Sequence, residues 1–297
     1  MANIYLGSTD LSTAALKLGS TSVAGAYLGG TLVWPPAGGF DPDAQDFFDA
    51  ITLEGITLTT TEQNAVNQLA LDLKSNNLWT KMDAVYPFVG SNDNATKYNL
   101  KDSADTDAAY RITWTGTINS NSSGVQPAAN NTSYGLTNLL PSIYTSTTGA
   151  HMTVWCNQIT AVTGYDMGAF RGSGGDRDEW MMAIWFSGTQ YGSMEGLNYA
   201  TNVNSNPVTN FYGTNNIGNS TFVLKGTTST SISQTIGVHN WSGRSIAIGG
   251  SYRGVSSVSS GLSGRGYAIG TIGQGLTTTE IGNLYTIQNT YRTSLSR

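Results

Sequence analysis

Met152-Thr153-Val154-Trp155-Cys156 packs apolar, aromatic and β-branched side chains into one short run, the composition of a β-strand. Tyr110-Arg111-Ile112-Thr113-Trp114-Thr115 reads the same way. Further strand candidates are Trp180–Phe186, Thr221–Leu224, Thr235–Val238, Ser245–Ile248 and Tyr267–Ile272. Gly, Asn and Ser clusters separate these runs from about residue 82 to 275, and many short strands between turn signals mean a sandwich or barrel. The same phrase stands on either side of this region: Leu58-Thr59-Thr60-Thr61-Glu62 before it and Leu276-Thr277-Thr278-Thr279-Glu280 after it. Thr59 with Glu62 and Thr277 with Glu280 have the spacing of capping boxes, which start helices. Val66, Leu69, Ala70 and Leu73 then share one helical face, as do Leu284, Ile287, Tyr291 and Leu295. The expectation is an all-β antiparallel sandwich over residues 47–297 with two flanking helices near 60–75 and 278–294.

A chain of 297 residues can bury a core without disulfides, and its single cysteine, Cys156, can form none within the chain. Its place in an apolar run makes it a buried small hydrophobe. Charged residues are only 11% of the chain, against about 25% in ordinary soluble domains. Net charge is −5 and no Lys/Arg-rich run occurs, which argues against nucleic acid as a partner. No apolar segment reaches the length of a membrane-spanning helix, and Met1-Ala2-Asn3-Ile4-Tyr5 does not open a signal peptide. A polar, charge-poor surface on a chain without a visible export signal suits a particle protein made in a bacterial cytoplasm and released by lysis.

The N-terminal residues carry a repeat. Leu6-Gly7-Ser8-Thr9, Leu18-Gly19-Ser20-Thr21 and Leu28-Gly29-Gly30-Thr31 recur, each after apolar or alternating residues, and each reads as a short strand with a glycine turn. Three such strands bury too little to stand alone. Residues 1–34 therefore read as a small β module that docks on something else, through Ile4, Tyr5, Leu6, Leu18, Tyr27, Leu28 and Trp34. Trp34-Pro35-Pro36-Ala37-Gly38-Gly39 breaks the pattern, and residues 35–46, with Asp41-Pro42-Asp43, read as a linker.

Ile4-Tyr5-Leu6-Gly7-Ser8-Thr9 with its echoes resembles a short module at the start of many tailed-phage structural proteins. Leu78–Met82, Tyr86–Gly90, Tyr98–Asp102 and Ala108–Arg111, with the Gly275–Glu280 helix start, look like phage fibre and virion-surface domains with a concanavalin-like or laminin-G-like jelly roll. The likeness covers roughly 1–34, 58–115 and 265–297, and the stretch 116–264 carries no matching motif. It implies a virion structural protein made in the host cytoplasm and displayed on the particle as tail fibre, head fibre or decoration protein. Its partners would be other virion proteins, copies of itself as a homotrimer, and host surface glycan. A polysaccharide depolymerase and a free carbohydrate-binding module remain the alternatives, and a non-enzyme is the expectation.

No motif of catalysis is visible. His151 and His239 lie in no metal-spaced pattern, and Gly172-Ser173-Gly174-Gly175 lacks the lysine of a phosphate loop. Asp176 and Asp178, in a glycine-rich stretch, are the acidic pair that could hold Ca²⁺; Asp41/Asp43/Asp46 and Asp102/Asp105/Asp107 are lesser clusters. Aromatic residues are the better lead, since sugars stack on rings while nearby polar groups bond their hydroxyls. Tyr191, Tyr199, Phe211 and Tyr212 lie in a polar stretch and Trp241 follows His239-Asn240, so these five are the candidate ligand contacts.

Overall fold

The computed structural model describes the strands of the N-terminal repeat and residues 39–297, except 130–131, 161, 172–177, 195–198, 204–206, 237–242 and 252–262. The chain divides into two compact units, Met1–Pro42 and Asp43–Arg297.

The first unit holds β1 (Tyr5–Leu6) paired with β2 (Thr9–Asp10), β3 (Lys17–Leu18) with β4 (Thr21–Ser22), and β5 (Ala26–Leu28) with β6 (Thr31–Trp34). Each copy of the repeat is thus a hairpin, not the single strand read from sequence. Leu6 pairs with Thr9, Leu18 with Thr21 and Leu28 with Thr31, so two residues beginning with glycine join each pair of arms. That is the length and composition of the tightest hairpin connection.

The linker reading is corrected at its end: Pro42–Leu53 form α1. Proline suits the first position of a helix and Asp43 suits its first turn. Ala44, Phe47, Phe48 and Ile51 then fall on one buried face. Next, α2 (Thr60–Ser75) starts at Thr59, where the capping box with Glu62 is formed in both directions.

Among the described residues fifteen strands follow, with α3 (Asp93–Thr96) between them. They are β7 (Met82–Tyr86), β8 (Thr113–Thr115), β9 (Ile118–Asn121), β10 (Gly124–Pro127), β11 (Tyr134–Leu136), β12 (Ala150–Gln158), β13 (Met167–Arg171) and β14 (Asp178–Phe186). The rest are β15 (Thr189–Ser193), β16 (Ala200–Val203), β17 (Asn210–Ile217), β18 (Ser220–Lys225), β19 (Thr228–Ser233), β20 (Ala247–Ile248) and β21 (Gly266–Gly273). The chain closes with α4 (Thr278–Ser294), opened by the second capping box at Thr277. Of the run Tyr110–Thr115, only Thr113–Thr115 is strand; Tyr110 has φ +58° and ends a 3-10 turn.

Two antiparallel sheets form the sandwich. Among the described residues one has eight strands in the order β19-β18-β17-β12-β21-β10-β9, with β7 also on β21; the other has seven, β16-β15-β14-β13-β20-β11-β8. Alternation decides which side chains meet between them. Met152, Val154, Cys156 and Tyr212 from the first sheet pack with Met167, Ala169, Trp180, Met182 and Ile184 from the second. The other side of β12 and β17 carries His151, Thr153, Trp155, Phe211 and Asn215, which α4 and the residues leading into it cover. On that covered face the hydrogen bonds run in one direction. Gln288 Nε2 donates to Thr153 (3.0 Å), Thr153 to Thr271 (2.6 Å), Thr271 to His151 Nε2 (3.3 Å), and His151 Nδ1 to the Gln274 carbonyl (2.6 Å).

Candidate functional site

The outer face of the seven-stranded sheet is aromatic. Along β14, Trp180, Met182 and Ile184 point into the core while Met181 and Ala183 point outward. Strict alternation would send Phe186 inward as well. Ala183 pairs with Tyr191, yet the next pair is Phe186 with Thr189, so β14 carries one residue more than β15 between these points. A bulge of this kind re-aims the side chain that follows it. Phe186 therefore joins Tyr191 on the outer face, and both are part exposed. The two strands are joined by Ser187 and Gly188, at φ +51° and +85°, a two-residue turn whose twist matches the strands.

Four rings meet in a row. Tyr165 lies 5.7 Å from Phe186, Phe186 6.0 Å from Tyr191, and Tyr191 5.9 Å from Tyr199, measured between ring centres. The last two contacts are edge to face, at 87° and 90°. That arrangement suits the ring quadrupoles and fixes each ring against the next. All four rings are part exposed, and with the buried Met181 they line a depression of about 200 Å³. Enclosed ligand pockets run to roughly 300–1,000 Å³. This is a platform on which one unit of a longer molecule can lie, with apolar ring surface for its C–H groups and tyrosine rims for its hydroxyls.

Of the five residues expected to touch a ligand, Tyr191 and Tyr199 stand together on this platform. Phe211 and Tyr212 do not, and that expectation is corrected: both are fully buried. Phe211 packs edge to face on Tyr285 of α4, and the Tyr212 hydroxyl donates to the Val208 carbonyl at 2.8 Å. Trp241 and Asp176 lie outside the described residues, as does the Asp178 side chain, and so does Ile4; for the other anchor residues only the strand backbone is described. Sequence reading missed Tyr165 and Phe186, because only the bulge turns Phe186 outward.

Several of the remaining candidates are occupied otherwise. Asp105 and Asp107 pair with Arg111, Asp105 also with Lys97, and Asp43 with Lys74. His151 is wholly buried, and burial pushes its pKa down to about 4. Burial likewise raises the Cys156 thiol, which is therefore a poor nucleophile. Among the described residues, no group of three or more His, Cys, Asp or Glu is placed to hold a metal ion, and no helix is long and apolar enough to cross a membrane.

No family model and no curated protein sequence matches the chain. Solved structures do. A Trypanosoma rangeli sialidase in complex with 2,3-difluoro-KDN is 8% identical over 77% of this chain and 40% of its own, with a TM-score of 0.49. Domain 4 of an extracellular arabinanase from Geobacillus stearothermophilus, solved with arabinotriose, is 16% identical over 69% of this chain and 98% of its own, with a TM-score of 0.40. The CBM40 of a Ruminococcus gnavus sialidase is 11% identical over 47% and 84%, at 0.37. The chain thus spans about two fifths of the sialidase's length. These matches correct the expectation of a non-enzyme, since sialidases are enzymes. A likeness at this level concerns fold alone and assigns neither a reaction nor a catalytic residue.

Proposed function

We propose that the sandwich is a glycan-binding domain and that the chain displays it on the exterior of a bacteriophage particle. One observation carries the reading: four aromatic rings, in contact in a row and part exposed, form a shallow apolar platform on one outer sheet face. Water gains little by solvating such a surface, and the C–H faces of sugars fit it. The glycine-joined hairpins of the first unit, with their resemblance to a tailed-phage module, support the particle as its place. Among the described residues each arm pairs only with the other arm of its own hairpin, and such edges seek a partner, in this reading another virion protein or a further copy in a homotrimer.

The test has two arms. The intact chain is passed over immobilised bacterial envelope polysaccharides while released reducing sugar is assayed. Retention on at least one glycan is expected; retention on none contradicts the reading, and sugar release would make the domain a depolymerase. Mass spectrometry of purified particles should find the chain in them. A chain shortened to begin at Gly39 should melt cooperatively yet no longer join them.

A further inference from the structure

A bulge orphans backbone groups that the sheet ladder would otherwise satisfy, and buried orphans need partners. At the bulge of β14 one ion pair supplies partners, beside the Gly164 N–H that also reaches the Trp185 carbonyl. Asp166 and Arg265 are both wholly buried. Arg265 Nη1 donates to the two Asp166 oxygens at 3.1 and 2.9 Å. Its Nη2 donates to the Trp185 carbonyl at 3.2 Å and the Val162 carbonyl at 2.7 Å. Asp166 in turn accepts the Ile184 N–H at 2.6 Å and the Tyr267 hydroxyl at 2.7 Å. Ile184 and Trp185 are the two residues between Ala183 and Phe186, where the register slips. Asp166 directly follows Tyr165, and Gly164 bridges to Trp185. The pair thus grips the backbone just before Phe186 and on either side of Tyr165, from Arg265, which directly precedes β21 of the opposite sheet.

A buried ion pair is a weak source of net stability, because desolvation offsets most of its attraction. Its gain lies in fixed geometry. We propose that Asp166 and Arg265 are positioning residues of the aromatic platform: they hold the bulge that turns Phe186 outward and the segment that sets Tyr165 beside it. The proposal rests on the platform reading above.

Arg265→Lys tests it in the full chain. Lysine keeps a charge opposite Asp166 but lacks the fork that also reaches two carbonyls. Two readouts separate the proposal from its foundation. The first, amide exchange at Ile184–Phe186 and ring-to-ring nuclear Overhauser contacts of Phe186 with Tyr165 and Tyr191, needs no ligand. The second is the dissociation constant for a glycan that the unaltered chain retains. The expected result is at least tenfold faster exchange, lost ring contacts and at least tenfold weaker binding. Lost ring contacts with unchanged affinity, or intact ring contacts and exchange, would overturn the proposal. If the unaltered chain binds no glycan, the platform reading falls and the ring contacts alone decide whether the pair holds the bulge. Should the lysine variant not fold, the double variant Asp166→Asn with Arg265→Gln, which removes both charges together, is read in the same way.

Discussion

The eight-stranded sheet turns His151, Thr153, Trp155, Phe211 and Asn215 outward, and α4 with its leading residues covers them; the seven-stranded sheet turns Phe186 and Tyr191 outward and leaves them part exposed. Under the helix Gln288, Thr153, Thr271, His151 and the Gln274 carbonyl are joined in a directed chain of hydrogen bonds. On the other sheet the rings pack against one another and stay part exposed. Aromatic residues at outward positions therefore meet opposite fates in one molecule: Phe211 joins a helix to a sheet, and Tyr191 stays part exposed.

The largest contrast should appear on truncating one ring from each face. Phe211→Ala is expected to cost about 3–5 kcal/mol of stability, the usual price of an emptied aromatic site, while leaving the glycan affinity of the folded chain unchanged. Denaturant unfolding beside a binding titration checks both, and a small stability loss would break the distinction between the faces.

The covered face should also be the acid-sensitive one. His151 titrates near 4 when folded, against an ordinary value of 6.5, because burial disfavours its charge. Between those values the unfolded chain binds a proton that the folded chain refuses. Stability from this group is therefore complete above about pH 6.5 and is lost as pH falls towards 4, by about 3 kcal/mol in all. His151→Gln should flatten that part of the stability profile. An unchanged slope would place the acid sensitivity elsewhere.

The smallest effect belongs to the end of the covering helix. Thr277→Ala removes one half of the capping box and should cost about 1 kcal/mol, read as a lowered unfolding midpoint.

Both capping boxes were legible because their signal is local: a threonine and a glutamate three residues apart need no knowledge of the fold. Strands such as β12 and β21 showed themselves by apolar runs. By contrast, β17, Asn210–Ile217, looks like a polar loop in sequence, yet Thr214, Asn215 and Asn216 are fully buried. Their side chains are met by the Met181 carbonyl, by both backbone groups of Leu276, and by Thr221 with the Gln234 carbonyl. Hydropathy cannot show partners that distant in the chain. The platform was half legible for the same reason. Tyr191 and Tyr199 drew notice as aromatics among polar residues, whereas Phe186 ends an apolar strand and reads as core until the register of β14 against β15 is known. α1 hid behind Pro42, which breaks helices everywhere except where it stands here.

The account turns on Tyr191, the ring that touches both Phe186 and Tyr199. The deciding measurement is calorimetric titration of the intact chain and of Tyr191→Ala with an envelope glycan that the intact chain retains. The account predicts at least a tenfold loss of affinity, about 1.4 kcal/mol, with the unfolding midpoint nearly unchanged. Equal affinity in the two proteins would contradict it.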